Sequence, residues 1–278
     1  MKRSGRWLVV SLLCAGSIAG AQTFGAWSYF GFDKNGYPGD ALLAPLHRTF
    51  AYTGYWLNDP PGMTANPWAG KRGVVRAAGF GFLLLFNGRL EAQLKGQNAA
   101  SLGELDGRDA VLAAEREGFP AGAIIFLDQE EGGALTKEQA VYMEVWIHAV
   151  QRSSEQRSGY RAGVYASGIA VPAGAVRMST AQDVRTRFPE AALWVWNDAC
   201  PPAPGCVVPR GNLKIAQSGF PGALVWQYAQ APRRPEDTEA CAKTYAADNQ
   251  CYAPGLPQSP ATRVDLDVSW MADPSQGR

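Results

Sequence analysis

The sequence predicts an α/β fold of the TIM type, a (β/α)8 barrel that is irregular in places. Eight short apolar runs recur along the chain, and helical patterns fit between several of them. Strands alternating with helices pair in parallel, and eight such units close into a barrel whose chemistry sits at the strands' carboxyl ends. The fourth run, Ala123-Ile124-Ile125-Phe126, ends in Leu127-Asp128-Gln129-Glu130. Side chains two apart on a strand share a face, so Asp128 and Glu130 emerge together at that end.

The N-terminal 21 residues are expected to lie outside this fold. Lys2, Arg3 and Arg6 precede an apolar stretch from Trp7 to Cys14, and Ala19-Gly20-Ala21 is a small-residue cleavage pattern. That combination predicts a secretory signal peptide over 1–21, too short for a membrane anchor. Residues 22–278 then form a single barrel domain, secreted or periplasmic, with no stable membrane span after cleavage. The formal charge of +1 falls to about −2 without the three basic residues. No basic stripe is present to neutralise a phosphate backbone, which argues against nucleic acid as a partner. Nothing in the sequence sets an oligomeric state.

The candidate strands are 27–32, 49–56, 79–86, 122–127, 161–165, 192–196, 223–228 and 264–268. Between them, 106–117 has an apolar side of Ala110, Val111, Ala113 and Ala114. Residues 136–151 open with Thr136 and Gln139 at capping-box spacing, with Val141, Val145, Ile147 and Val150 facing inward. A short helix is expected over 180–188. The segments 198–221 and 232–260 are rich in proline and read as long loops after the sixth and seventh strands, walling the barrel mouth. They carry Cys200, Cys206, Cys241 and Cys251. An even cysteine count in an exported chain points to disulfides. Three pairings are open, of which Cys200–Cys206 with Cys241–Cys251 is the simplest. The cysteines are widely split and the only histidines are His47 and His148, so no zinc site is expected.

Five acids stand at or near strand ends: Asp33 after the first strand, Asp128 and Glu130 after the fourth, and Asp265 with Asp267 in the last. First and last strands are neighbours in a barrel, so Asp33 can meet one of the final pair. Burying an unpaired charge costs several kcal/mol in typical estimates, so acids on apolar strands need a reason. Two carboxyls beside a cleft can split their pKa values, one ionised and one protonated, as glycoside hydrolysis requires. The plainer alternative is that each acid caps a helix, supports the barrel by an internal hydrogen bond or ends a strand in solvent. Ser167 is not in a nucleophile elbow, and Gly79-Phe80-Gly81-Phe82 is not followed by a nucleotide-binding helix.

These pieces together resemble the glycoside-hydrolase-like domain of unknown function 1906, whose relatives include the family 25 lysozymes. The resemblance rests on Gly31-Phe32-Asp33, Leu127-Asp128-Gln129-Glu130 and Ala162-Gly163-Val164-Tyr165-Ala166. It continues through Leu193-Trp194-Val195-Trp196, Val225-Trp226-Gln227-Tyr228 and Val264-Asp265-Leu266-Asp267. Those lysozymes are (β/α)8 barrels that cut the β-1,4 bond between N-acetylmuramic acid and N-acetylglucosamine. The resemblance implies that Glu130 is the general acid and that Asp128 steadies the developing positive sugar centre or the acetamido group. It makes Asp33 a further cleft carboxylate and matches Asp265 to a last-strand aspartate. The chain departs from the lysozymes where Asp267 replaces their usual Asn and where Trp196-Asn197-Asp198 follows the sixth strand. Both departures weaken a muramidase assignment more than the fold.

Aromatic faces pack on sugars at little entropic cost. Trp226 is the first choice for such a platform, with Tyr228, Trp194, Trp196 and Tyr165 beside it; for any strand aromatic the alternative is a core position. The expected partner is a cell-envelope polysaccharide such as peptidoglycan, with no metal or organic cofactor required. The alternative is a non-catalytic glycan-binding or structural envelope protein on the same barrel.

Overall fold

The strands follow the expected order but do not all run one way. Residues 28–152 and 159–278 are described by the structure, a computed structural model. The signal segment expected over 1–21 lies outside the described residues. The strands are β1 (Tyr29–Asp33), β2 (Tyr52–Trp56), β3 (Gly81–Asn87), β4 (Ile124–Gln129) and β5 (Arg161–Ser167), then a small hairpin of β6 (Val171–Ala173) and β7 (Val176–Met178). They continue with β8 (Ala192–Trp196), β9 (Val225–Ala229) and β10 (Asp265–Ser269). All but the hairpin close into one barrel in the order β1-β10-β9-β8-β5-β4-β3-β2.

β10 is antiparallel to both β1 and β9, an irregularity in an otherwise parallel barrel. The cause lies in the preceding loop. A parallel return needs a crossover, usually a helix, that carries the chain back to the opposite end of the barrel. Residues 230–264 contain only α7 (Pro235–Thr238) and short 3₁₀ turns, and they stay at the mouth. The last strand therefore starts at the mouth and descends. Its tail then wedges beside the lower halves of β3 and β4. Asp273 Oδ1 accepts from Phe82 N (2.8 Å), Ser275 Oγ from Leu84 N (2.9 Å) and Ser275 O from Ile124 N (2.8 Å).

The helices α1 (Asp40–His47), α2 (Arg72–Ala77), α3 (Glu91–Leu94), α4 (Ala99–Glu117), α5 (Lys137–Arg152) and α6 (Thr180–Arg187) complete the fold. α4 begins well before the expected 106. Gly103 and Gly107 read locally as helix weakeners, but they form the surface on which α5 crosses. A Cβ at Gly103 would stand 2.4 Å from Tyr142 O, and one at Gly107 would stand 2.6 Å from Ala149 Cβ. Gly→Ala inside a helix ordinarily stabilises by up to about 1 kcal/mol. Here Gly103→Ala is expected to destabilise by about 1–3 kcal/mol, because a backbone oxygen cannot move aside. Thermal unfolding checks the sign, and a higher melting temperature in the variant would contradict this packing.

Candidate active site

Alternation along each strand sends one set of side chains into the barrel. Asp128 stands opposite Tyr165, Tyr165 opposite Trp194, Asp267 opposite Gln227, and Asp33 opposite Asp265. The reversed β10 is what brings Asp265, at its first position, level with the end of β1. These side chains form one buried network. Gln227 Nε2 donates to Asp33 Oδ2 (2.8 Å), and Tyr165 Oη donates to Gln227 Oε1 (2.8 Å). Gln230 Nε2 donates to both Tyr165 Oη (3.2 Å) and Gln227 Oε1 (3.0 Å). Trp194 Nε1 donates to Asp267 Oδ1 (3.1 Å), and Ala231 N to Asp265 Oδ1 (2.6 Å).

The five acids converge at this end of the barrel, and each is electrostatically coupled to others in the group. Burial, the largest cause in every case, pushes the Asp33 carboxyl up to about 6 and raises Glu130. It also holds Asp128, Asp265 and Asp267 well above the usual carboxylate range, and neighbouring negative charge adds to the effect. The Asp128 side chain adjoins Glu130, and Asp267 adjoins Asp33. The buried Oδ2 atoms of Asp128 and Asp267 have no hydrogen-bond partner. A proton shared with the adjoining acid satisfies such an oxygen, whereas two ionised carboxylates in contact would repel.

In the first pair the deeper residue holds the proton more firmly. Asp128 is buried, whereas Glu130, one residue past the end of β4, reaches solvent over part of its surface while its carboxyl remains crowded by the protein. Burial, then the charge of Glu130, holds Asp128 well above the usual carboxylate range, while Glu130 is raised by burial and its contact with Asp128 offsets part of that rise. In the free protein this favours the neutral form of Asp128, whereas the sequence reading places the proton on Glu130 above an ionised Asp128. The physical reason is depth: the group with less access to water gains more from being neutral.

The raised acids carry a stability consequence. A carboxyl whose folded pKa exceeds its unfolded value binds more protons when folded, so stability is greatest below the unfolded pKa and falls as pH rises through the folded one. For Asp33, from 3.8 to about 6, that loss is about 2 kcal/mol between pH 4 and pH 7. Asn at position 267 can donate to Asp33 and accept from Trp194 without a proton to lose. Asp267→Asn is therefore expected to melt at a higher temperature than wild type at pH 8, with the two curves converging near pH 4. Parallel curves would contradict the shared proton.

The aromatic residues divide by face. Tyr165 and Trp194 point inward and pack on each other with ring centroids 4.7 Å apart. Trp194 is buried beneath the carboxyls and serves the core. Trp196 is at the mouth end of β8, its face covered by the Arg234 guanidinium at 3.6 Å and its indole nitrogen buried without a partner. Trp226 and Tyr228 do not join them. They alternate with the inward Gln227, are fully buried, and lie under the mouth loops, where Trp226 Nε1 donates to Asn197 O (2.7 Å) and Tyr228 Oη to Val207 O (3.1 Å). The expectation that Trp226 and Tyr228 line a sugar groove is corrected by this parity.

The loops after the sixth and seventh barrel strands lie side by side, and their disulfides run between them. Cys200 pairs with Cys241 and Cys206 with Cys251, which corrects the local pairing 200–206 and 241–251. Backbone contacts show why: Cys200 N donates to Asp237 O (2.9 Å) and Cys206 N to Thr244 Oγ1 (2.9 Å), so each cysteine faces the other loop and not its sequence neighbour. Arg234, on the second loop, reaches Asp198 on the first at 2.6 Å.

Sequence reasoning left Gln230, Arg234 and Asp198 out of the site, and it named Gln227 only as a neighbour of Tyr228. The parity of β9 held the missing signal for Gln227, since a polar residue between two aromatics on a central strand must find buried partners. Arg234 and Asp198 lie on loops, which have no such period. Among the described residues, no group of three His, Cys, Asp or Glu side chains is arranged to hold a metal ion, and no helix is long and apolar enough to cross a membrane.

The fold has counterparts. An uncharacterized protein of B. stearothermophilus shares 20% identity over 87% of this chain and 95% of its own, with a TM-score of 0.54. The spore cortex lytic enzyme SleM of Clostridium perfringens shares 12% identity over 90% of this chain and 68% of its own, with a TM-score of 0.51. The Tat-secreted protein Rv2525c of Mycobacterium tuberculosis, in complex with L-tartrate, shares 14% over 87% of this chain and 95% of its own, with a TM-score of 0.49. No curated protein matches the chain. At these identities the likeness concerns the fold. Residues 52–203, more than half of the chain, match a family model directly, and the chain belongs to the Rv2525c-like, glycoside hydrolase-like domain family.

Proposed function

We propose that the chain is an exported glycoside hydrolase that cleaves a cell-envelope glycan, peptidoglycan being the first candidate, with Glu130 as proton donor. The observation that supports this reading is the Asp128–Glu130 carboxyl pair near Asp33 at the mouth of the barrel, both members raised first by burial. Glu130 is the member of the pair that a leaving oxygen can reach. When a glycan displaces water from the rim, Glu130 loses solvation and the shared proton moves to it from Asp128. Glu130 then protonates the glycosidic oxygen, and the ionised Asp128 steadies the oxocarbenium-like centre. Paired acids in two-carboxylate mechanisms stand about 5–5.5 Å or about 6.5–9.5 Å apart. Asp128 and Glu130 are direct side-chain neighbours at one strand end, which favours a role for Asp128 in orienting an N-acetyl group for internal attack. Asp33, held by Gln227, positions sugar or water.

The two inter-loop disulfides and the N-terminal signal pattern support a secreted or periplasmic location. SleM, a spore cortex lytic enzyme, carries the same fold, which makes a wall glycan the first substrate to try. A second reading, glycan binding without cleavage, is favoured by the burial of Asp128 and by Arg234 lying over Trp196. Digestion of purified peptidoglycan by residues 22–278, followed by reducing-end assay and mass spectrometry, separates the two. New reducing ends at muramyl linkages are expected. Intact binding with no product across several glycans would establish the second reading.

A further inference from the structure

Beside the carboxyl mouth lies a groove of about 490 Å³, lined by Lys34, Tyr37, Pro260, Arg263, Val264 and Asp265 among others. It opens from the mouth itself, because Lys34 follows Asp33 and Asp265 stands opposite Asp33. Its walls are fixed. Trp56 Nε1 donates to Lys34 O (3.1 Å) and Trp68 Nε1 to Asn35 O (3.0 Å), while Tyr37 packs edge-on against Trp68.

The groove is cationic although the adjoining mouth is acidic. Lys34 Nζ donates to Pro260 O (3.0 Å) and Ala261 O (2.7 Å), which fixes the ammonium and accounts for two of its three protons. Arg263 Nε is buried without a partner. The same side chain neighbours the Tyr252 hydroxyl, which itself donates to Asp248 Oδ2 (2.7 Å) on the exposed side. Asp265 offsets these charges only in part, since burial and Arg263 still hold the Lys34 ammonium down at about 8. Its Oδ1 is taken by Ala231 N, and burial favours its neutral form. A buried guanidinium N–H with no acceptor is costly, and a planar carboxylate is the acceptor that best matches it. Neutral sugars bring no such group.

We propose that this groove is an anionic subsite, in which Lys34 and Arg263 hold a free carboxylate carried by the glycan. The inference rests on the glycan reading above and narrows the substrate class to acidic glycans. The carboxylate is borne either on a lactyl ether, as in muramic acid, or on the ring, as in a uronic acid.

Calorimetric binding to Glu130→Gln protein, which retains the groove, tests the subsite without turnover. The lactyl arm compares the N-acetylglucosaminyl–N-acetylmuramic acid disaccharide with chitobiose, and the ring arm compares trigalacturonate with its methyl ester. In at least one arm the acid is expected to bind about tenfold or more tightly than its neutral counterpart, consistent with one charge-assisted hydrogen bond. The arm that shows the difference identifies the source. Adding Arg263→Gln is expected to erase the difference while leaving neutral ligands unchanged; Lys34→Met gives the same result if the loop keeps its fold. Equal or absent binding of acid and neutral forms in both arms overturns the subsite, as does a preference that survives Arg263→Gln. Acid preference without any glycan cleavage by wild type would remove the hydrolase reading alone. Cleavage without acid preference would remove the subsite alone.

Discussion

Glu130→Gln is expected to lower the rate of glycan cleavage by about 10²–10⁴-fold, the usual contribution of a positioned general acid. The amide keeps the shape of the side chain and its reach to the rim, but it has no acidic proton to give. Substrate affinity is expected to stay near the wild-type value, because the groove walls and Asp33 are untouched, so the loss falls on kcat. The variant is also expected to be at least as stable as wild type. It removes one member of a cluster in which every carboxyl is raised by burial. Lost activity with unchanged or increased melting temperature separates a catalytic role from a structural one. Equal product from both proteins would rule out Glu130 as the donor.

Removing the two disulfides is expected to have the largest effect on stability. They bridge cysteines 41 and 45 positions apart in sequence, and the chain-entropy model gives about 4 kcal/mol for closing a loop of that size. The bridged segments overlap, so the two contributions are not additive. Replacing Cys200 and Cys241 with serine is expected to lower the melting temperature by about 8–16 °C, using the shift per kcal/mol of a domain this size. The functional cost follows from what the loops hold: Arg234 against Trp196, and the Ala231 amide on Asp265. Weaker glycan binding is expected along with the lower melting temperature. A reductant that changes neither would contradict the placement of these loops as the wall of the mouth.

The sequence made the barrel legible because its strands are buried on both faces and read as continuous apolar runs, so all eight barrel strands lie at the expected places. The direction of β10 was not legible. Strand direction depends on where the preceding connection ends, and the 230–264 loop is held at the mouth by cross-links whose pairing the sequence left open. The acids were legible because charge is rare on a buried strand. Their protonation order was not, because it depends on the depth difference between Asp128 and the rim residue Glu130. Trp226 and Tyr228 were misplaced because a family-like run of aromatics was given more weight than the period of two, which assigns the barrel interior to Gln227. Gly103 and Gly107 hid the first half of α4, since propensity penalises a glycine that a helix crossing requires.

Carboxyl ¹³C NMR, following the Asp and Glu side chains of residues 22–278 from pH 3 to pH 9, tests the shared protons most directly. Asp33 is expected to titrate near 6, with Asp128, Glu130 and the last-strand aspartates all titrating above the usual carboxylate range. If every carboxyl carbon has reached its ionised shift by pH 5, the mouth holds no stored proton, and the chemistry assigned to it fails.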